Sequence, residues 1–151
     1  IPHDIFDRDN MLAALTDVEI DGKARTLAIA SGKLGVVFGL DADTGAEVWS
    51  TEVGTHQNDE LTESDGPTLV YPGPLGGVQT PLAIADGTIY TCVMNAPTQY
   101  AGPEETSYGF TVQLGKADSQ MVAIDAATGK VRWKVDLPGD SFGGATVMGS
   151  F

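Results

Sequence analysis

The chain has 151 residues, 42% of them apolar, and its 8 Lys+Arg against 21 Asp+Glu leave a formal net charge of -13. That length suits one domain, or a piece of one, with a sizeable core. No apolar run approaches the roughly 20 residues of a bilayer span, so the chain reads as soluble and globular. The acidity excludes nucleic acid and anionic membrane surfaces as partners, because both require a cationic footprint, and it favours cations or neutral small molecules.

In chain order, Ile1-Pro2-His3 comes first, with neither an initiator Met nor a signal peptide, and both ends read as cut from a longer protein. His3-Asp4-Ile5-Phe6-Asp7-Arg8-Asp9 is an Asp-rich turn. Residues 10–15 make at most one helical turn, and longer helical periodicity is absent everywhere. An apolar strand, Thr26-Leu27-Ala28-Ile29-Ala30-Ser31, leads through a Gly32-Lys33-Leu34-Gly35 turn into a β hairpin ending at Trp49. A polar link over residues 54–76 precedes a second strand, Thr88-Ile89-Tyr90-Thr91-Cys92-Val93. The lone Cys92 cannot form an internal disulfide and occupies a strand core position. Residues 95–118, rich in Pro, Gly, Thr and Glu, read as a surface excursion before a second hairpin ending at Trp133.

The two hairpins are copies. Val37-Phe38-Gly39-Leu40-Asp41-Ala42-Asp43-Thr44-Gly45-Ala46-Glu47-Val48-Trp49 recurs, at an offset of 84, as Met121-Val122-Ala123-Ile124-Asp125-Ala126-Ala127-Thr128-Gly129-Lys130-Val131-Arg132-Trp133. Each is a run of β formers, an Asp-Ala-x-Thr-Gly turn with Gly at the positive-φ position, and a short stretch ending in Trp. Repeated four-stranded antiparallel units with a late Trp predict an all-β architecture, the blades of a β-propeller. One blade covers about 1–54, a second about 76–138 with the excursion inside it, and residues 139–151 start a third. Two blades alone expose a large apolar flank, to be covered by remaining blades or by a protein partner.

The hairpins Leu40-Asp41-Ala42-Asp43-Thr44-Gly45 and Ile124-Asp125-Ala126-Ala127-Thr128-Gly129, each followed by Trp, resemble the tryptophan-docking motif of eight-bladed quinoprotein propellers. That is the fold of dehydrogenases that use pyrroloquinoline quinone (PQQ), and the resemblance covers about a quarter of such a ring. The segment from His3 to Asp9, the turn Asp21-Gly22-Lys23-Ala24-Arg25 and the stretch Gly32-Lys33-Leu34-Gly35 are similar to a continuous part of the quinoprotein alcohol and sugar dehydrogenases. Phe6 stands where that family usually has Trp. By position, the resemblance implies Asp7 as the general base and Lys33 as a cofactor contact. Gly76-Gly77-Val78-Gln79-Thr80-Pro81 corresponds to a family Gly-Gly-x-Asn-Trp-x-Pro stretch that has lost its Trp, with Gln79 able to hydrogen-bond a cofactor carboxylate. The resemblance further implies Ca²⁺ beside PQQ, an alcohol or sugar substrate, a cytochrome or other electron acceptor, and a periplasmic or extracellular location. The calcium ligands, the paired cysteines of some members and the stacking Trp would lie before Ile1. Non-catalytic scaffold and assembly proteins of envelope complexes share the propeller and form the alternative reading.

The implied chemistry is coherent. Alcohol oxidation needs a base for the hydroxyl proton as hydride leaves for a quinone, a role for Asp7, and a cation to stabilise the charge that develops on the quinone oxygens, a role for Lys33. Such an enzyme holds these two side chains within about 10 Å, close enough to share one cofactor. Without the resemblance, Asp7 belongs to a solvated or capping cluster and Lys33 is a loop lysine whose counterpart in the second copy is Ala117. Asp41-Ala42-Asp43-Thr44-Gly45 superficially resembles a calcium loop, but the second copy has Ala127 in place of Asp43 and no bidentate Glu follows, so these are turn residues. His3 and His56 are too few for a histidine zinc site; His3 belongs to the N-terminal turn and His56 to a polar loop. Phosphate-binding, nucleophile-elbow and metalloprotease motifs are missing.

Overall fold

The computed structural model describes residues 12–61, 65–100, 110–112 and 117–149. Its strands are β1 (Leu12–Ile20), β2 (Lys23–Ser31), β3 (Val36–Asp41), β4 (Glu47–Glu52), β5 (Thr68–Val70), β6 (Ala83–Ala85), β7 (Thr88–Asn95), β8 (Thr98–Tyr100), β9 (Phe110–Val112), β10 (Asp118–Asp125) and β11 (Val131–Leu137). The first sheet runs β1-β2-β3-β4 in chain order, and the second has the order β11-β10-β7-β6. Every pairing in them is antiparallel, so each is a four-stranded meander, the second interrupted between β7 and β10.

Residues 10–15 do not make a helical turn over their described part, because Leu12 begins β1. Exposure alternates from Ala13 to Ile20, the period of a half-buried strand, and Val18 and Ile20 pack against the core. β2 then offers a backbone partner at every step, from Leu12 opposite Ser31 to Ile20 opposite Lys23. Asp21 and Gly22 close this hairpin with φ of 52° and 72°, and Asp86 and Gly87 close the β6–β7 hairpin with 47° and 66°. Two consecutive positive φ values define the two-residue turn whose twist matches its strands, and Asp-Gly is the pair that adopts it at least cost.

The described parts of the excursion over residues 95–118 include two short strands that its composition does not suggest. β8 within it pairs with β9 on one side and, on the other, with β5 from the polar link, making a small three-stranded sheet. Backbone pairing between two polar stretches satisfies donors and acceptors that neither could satisfy alone. Of residues 139–151, the expected start of a further unit, the described part, 139–149, contains no strand, and the Ala145 N–H donates to the Pro81 carbonyl at 3.1 Å.

The repeated hairpins share the hydrogen bonds that close their turns. In the first, Asp41 Oδ1 accepts from the Thr44 N–H at 2.9 Å and the Thr44 hydroxyl at 2.8 Å, while Gly45 N–H donates to Asp41 O at 2.8 Å. In the second, Asp125 makes the same bonds with Thr128 at 2.9 and 2.9 Å and with Gly129 at 2.9 Å. Gly45 and Gly129 have φ of 73° and 70°, and both hairpins carry the same register shift one step above the turn.

The core lies between the two sheets. Leu27 and Ile29 of β2 and Val37 of β3 pack with Ile89 and Val93 of β7 and Val122 and Ile124 of β10, all essentially inaccessible. Each such side chain contributes roughly 1.5–3 kcal/mol through burial. Trp49 of β4 joins the sheets: its indole N–H donates to the Ala126 carbonyl at 3.1 Å, and Thr51 Oγ1 donates to the Gly129 carbonyl at 2.6 Å. The ring fits because glycines flank it. A Cβ on Gly39 would collide with the indole, and one on Gly129 would lie 2.7 Å from it.

Candidate functional site

Four loop segments meet at the end of the sheets where β2 and β7 finish. β2 ends at Ser31 and β3 begins at Val36, so the chain reverses in a turn closed by the Gly35 N–H donating to Gly32 O at 3.1 Å, with Gly35 at φ 67°. Lys33 sits in this turn, half-buried, and its ammonium pairs with no carboxylate among the described residues. The Ser31 hydroxyl, two residues earlier, is buried without a hydrogen-bond partner.

The Gly76–Gly77–Val78–Gln79 stretch packs directly on that turn. Val78 N–H donates to Gly32 O at 3.0 Å, while Gly77 exchanges bonds with Met94 at the end of β7 at 2.9 and 3.0 Å. Gly77 has φ of 75°, and a Cβ there would collide with the Lys33 carbonyl, so glycine is required by both conformation and space. The Lys33 turn and the segment carrying Gln79, 46 residues after Lys33 in sequence, are thus brought together by the backbone. Gln79 Nε2 donates to Gly76 O at 2.7 Å and Pro74 O at 3.3 Å, which spends both amide protons on its own loop. Oε1 is left as the group it can offer a ligand, so Gln79 would accept from a donor rather than donate to a carboxylate.

His56 is a contributor that sequence reasoning left in a polar loop. Its Nδ1 lies 2.6 Å from Asp59 Oδ2 and its Nε2 3.1 Å from the Gly35 carbonyl. Both partners are acceptors, so the ring satisfies them together only as an imidazolium that donates from each nitrogen. Burial alone would lower its pKa, but the Asp59 hydrogen bond, the Gly35 carbonyl and the charges of Asp59 and Glu52 outweigh it, and the pKa is raised. The signal available was an Asp three residues after a His, facing a glycine turn in which a Cβ would lie 3.1 Å from Nε2. Beside it, Glu52, His56, Asn58, Asp59 and Glu60 line an open depression of about 390 Å³, which Lys33 and Gln79 do not reach. Gly54 and Thr55 complete the junction, the Thr55 N–H donating to Asn95 Oδ1 at 2.8 Å.

Asp7, the expected base, lies outside the described residues, as does His3. The hairpin aspartates are turn residues: Thr44 hydrogen bonds above all lower the pKa of Asp41, and Arg132 at 2.7 Å does so for Asp125. Cys92 lies in β7, buried as expected, and burial raises its thiol pKa. Among the described residues no three His, Cys, Asp or Glu side chains converge as metal ligands, so Ca²⁺ would draw its ligands from elsewhere. An oxygen-rich anion such as PQQ suits a half-buried ammonium that, among the described residues, has no carboxylate partner, as at Lys33.

Residues 33–149 match the PQQ_2 family model, described as outer membrane protein assembly factor BamB. A comparison with curated protein sequences gave no match. Among solved structures, the chain is similar to a quinohemoprotein alcohol dehydrogenase from Pseudomonas putida HK5, with TM-score 0.71 and 15% identity over 87% of this chain and 25% of that one. It is also similar to quinohemoprotein alcohol dehydrogenase from Comamonas testosteroni, with TM-score 0.66 and 17% identity over 85% and 24% of the chains. A europium-containing methanol dehydrogenase gives TM-score 0.60 and 19% identity over 87% and 28%. The chain therefore spans about a quarter of the length of the solved structures it matches. At these identities the likeness is one of fold: all-β, with sheets arranged as β-propeller blades. No helix among the described residues is long and apolar enough to cross a membrane.

Proposed function

Because this chain belongs to the PQQ_2 family of β-propellers, we propose that it is part of a periplasmic or extracellular dehydrogenase that oxidises an alcohol or sugar with PQQ and Ca²⁺. The observation that carries this reading is Lys33: a half-buried cation without a carboxylate partner among the described residues, held by the Gly77–Lys33 backbone contact at a junction of four loops. PQQ, when bound, supplies the quinone that accepts hydride. Lys33 orients and neutralises its anionic oxygens, Gln79 Oε1 accepts from a nearby donor, and the carboxylate of Asp7 takes the hydroxyl proton of the substrate. A cytochrome or another acceptor would take up the electrons that the bound quinone supplies.

The test is PQQ and Ca²⁺ titrated into the full-length protein that contains this chain, with quinone absorbance reporting binding and alcohol-dependent dye reduction reporting turnover. Lys33→Ala should weaken PQQ binding about tenfold, the loss of one charge-assisted contact. Asp7→Asn should keep PQQ binding and lose turnover. A folded protein that binds no PQQ would overturn the reading in favour of a catalytically silent scaffold of an envelope complex. That second reading is favoured by the description of the matching family model as an outer membrane assembly factor and by the missing Trp in Gly76-Gly77-Val78-Gln79-Thr80-Pro81.

A further inference from the structure

The sequence holds three Asp-Gly pairs, Asp21-Gly22, Asp65-Gly66 and Asp86-Gly87. In such a pair the glycine nitrogen can attack the preceding side-chain carboxyl, because no Cβ on the glycine hinders the approach. Closure requires that nitrogen to eclipse Cβ about the Cα–C bond of the aspartate, so that N, C, Cα, Cβ and Cγ form one ring. Two of the pairs are barred from it. Asp21 and Gly22 sit at φ 52° and 72° between Ile20 and Lys23, which are paired across the β1–β2 hairpin. Asp86 and Gly87 sit at φ 47° and 66° between the paired residues Ala85 and Thr88. There the Gly87 carbonyl also accepts from the Ala126 N–H at 2.9 Å and from Arg132 at 3.4 Å, and Arg132 donates to the Thr88 hydroxyl at 2.5 Å. Rotating either aspartate into the ring geometry would unpair the residues that a two-residue turn holds opposite each other.

The third pair is placed differently. Asp65 is exposed, and it and Gly66 lie outside every strand and bridge of the described residues, with β5 beginning only at Thr68. Gly66 is not in the left-handed region, and a Cβ on it would meet nothing within 4 Å. We propose that Asp65 is a site of spontaneous isoaspartate formation, and that Asp21 and Asp86, in the same dipeptide, are protected by their hairpins. The Gly66 nitrogen bonds to Asp65 Cγ, and a carboxyl oxygen departs as water with the amide proton. A second water then opens the ring. Attack at the former main-chain carbonyl breaks its bond to the Gly66 nitrogen and frees it as a carboxylate, so the backbone now runs through Cβ and Cγ and is one methylene longer. One water leaves and one enters, so no oxidant or reductant is needed. The lengthened backbone lies just ahead of β5, where the Leu69 carbonyl accepts from Asn58 and Tyr71 pairs with Gln57. The change therefore falls beside the loop that lines the acidic depression. The new carboxylate is the group that isoaspartyl methyltransferases esterify.

The test incubates the full-length protein that contains this chain, folded and near neutral pH, in heavy-oxygen water, followed by digestion in ordinary water. Mass spectrometry reads the label, and methylation by an isoaspartyl methyltransferase reads the product. The Asp65 peptide should gain one heavy oxygen and become a methyl acceptor, several-fold faster than the peptides carrying Asp21 and Asp86. In urea, with the hairpins lost, the three peptides should label at similar rates. Gly66→Ala fits the open space around Gly66 and should remove most of the label at Asp65 while leaving the other two peptides unchanged. An unlabelled Asp65 peptide from the folded protein overturns the proposal. So does labelling of Asp21 or Asp86 that matches Asp65 before urea is added, and so does a ranking that urea leaves unchanged, since the hairpins would then not be what protects.

Discussion

Trp49 and Trp133 occupy the same position of the same hairpin, yet one is 9% exposed and the other 43%. Their own strands treat them alike. Each follows an Asp-x-x-Thr-Gly turn with matching hydrogen bonds and lies beside a small residue on the neighbouring strand, Gly39 opposite Trp49 and Ala123 opposite Trp133. The difference comes from the neighbour: the second turn covers Trp49, while among the described residues the one aromatic ring recorded against Trp133 is Tyr90 of its own sheet, at 6.0 Å between ring centroids. Local sequence therefore builds the blade, and the adjoining blade supplies most of what the Trp contributes to stability.

Truncating each Trp tests that separation most directly. Trp49→Ala should cost about 3–5 kcal/mol, the range for emptying a buried aromatic site, and should also orphan the Ala126 carbonyl. Trp133→Ala should cost about 1 kcal/mol, little more than the aromatic pair with Tyr90. Urea unfolding at low protein concentration measures both; equal losses would refute the assignment of stability to the neighbouring blade.

The turn glycines divide the same comparison into conformation and space. Gly45→Ala forces a Cβ into the left-handed region with open surroundings and should cost about 1 kcal/mol. Gly129→Ala carries the same conformational cost and also pushes a Cβ to within 2.7 Å of the Trp49 ring, so about 3 kcal/mol is expected. Thr44→Val and Thr128→Val remove hydroxyls that serve only their own turns, and each should lose about 1 kcal/mol. Agreement between the two threonine variants would show that the turns are locally equivalent; a larger loss at Thr128 would mean that the docked Trp49 reads turn geometry as well.

How far the sequence reaches follows the same division. The hairpins and the strands β2 and β7 were legible because their signals are local: alternation, Asp-Ala-x-Thr-Gly and a following Trp. β1 was hidden because Leu12-Ala13-Ala14-Leu15 has no strand-like alternation of its own and becomes a strand only against β2. β5, β8 and β9 are three residues each, too short to carry a period, and exist by pairing with one another across the polar link and the excursion. At the candidate site, Lys33 and Gln79 were chosen through the family resemblance, whereas their adjacency rests on the Gly77 contact, which no pattern along the chain announces. His56 was passed over for the same reason: its meaning lies in Gly35, 21 residues before it.

The smallest expected effect separates the loop junction from the hairpin turns by pH. Asp41 and Asp125 have lowered pKa values, so their contribution is complete above about pH 4 and is lost as pH falls through their folded values. Neither changes between pH 5 and 8. His56 has the opposite sign. Its raised pKa means that its bonds to Asp59 and Gly35 contribute fully below about pH 6.5 and are lost as pH rises through the folded value. The melting temperature should therefore decline modestly from pH 6 towards pH 8, and His56→Gln should flatten that decline while leaving the acid limb, set by the carboxylates, in place. The Asp59→Asn variant should flatten it too, because an amide can accept from a neutral ring and removes the charge that favours the imidazolium. A decline that persists unchanged in both variants would place the titrating group elsewhere and remove His56 from the link between the Lys33 turn and the loop that follows β4.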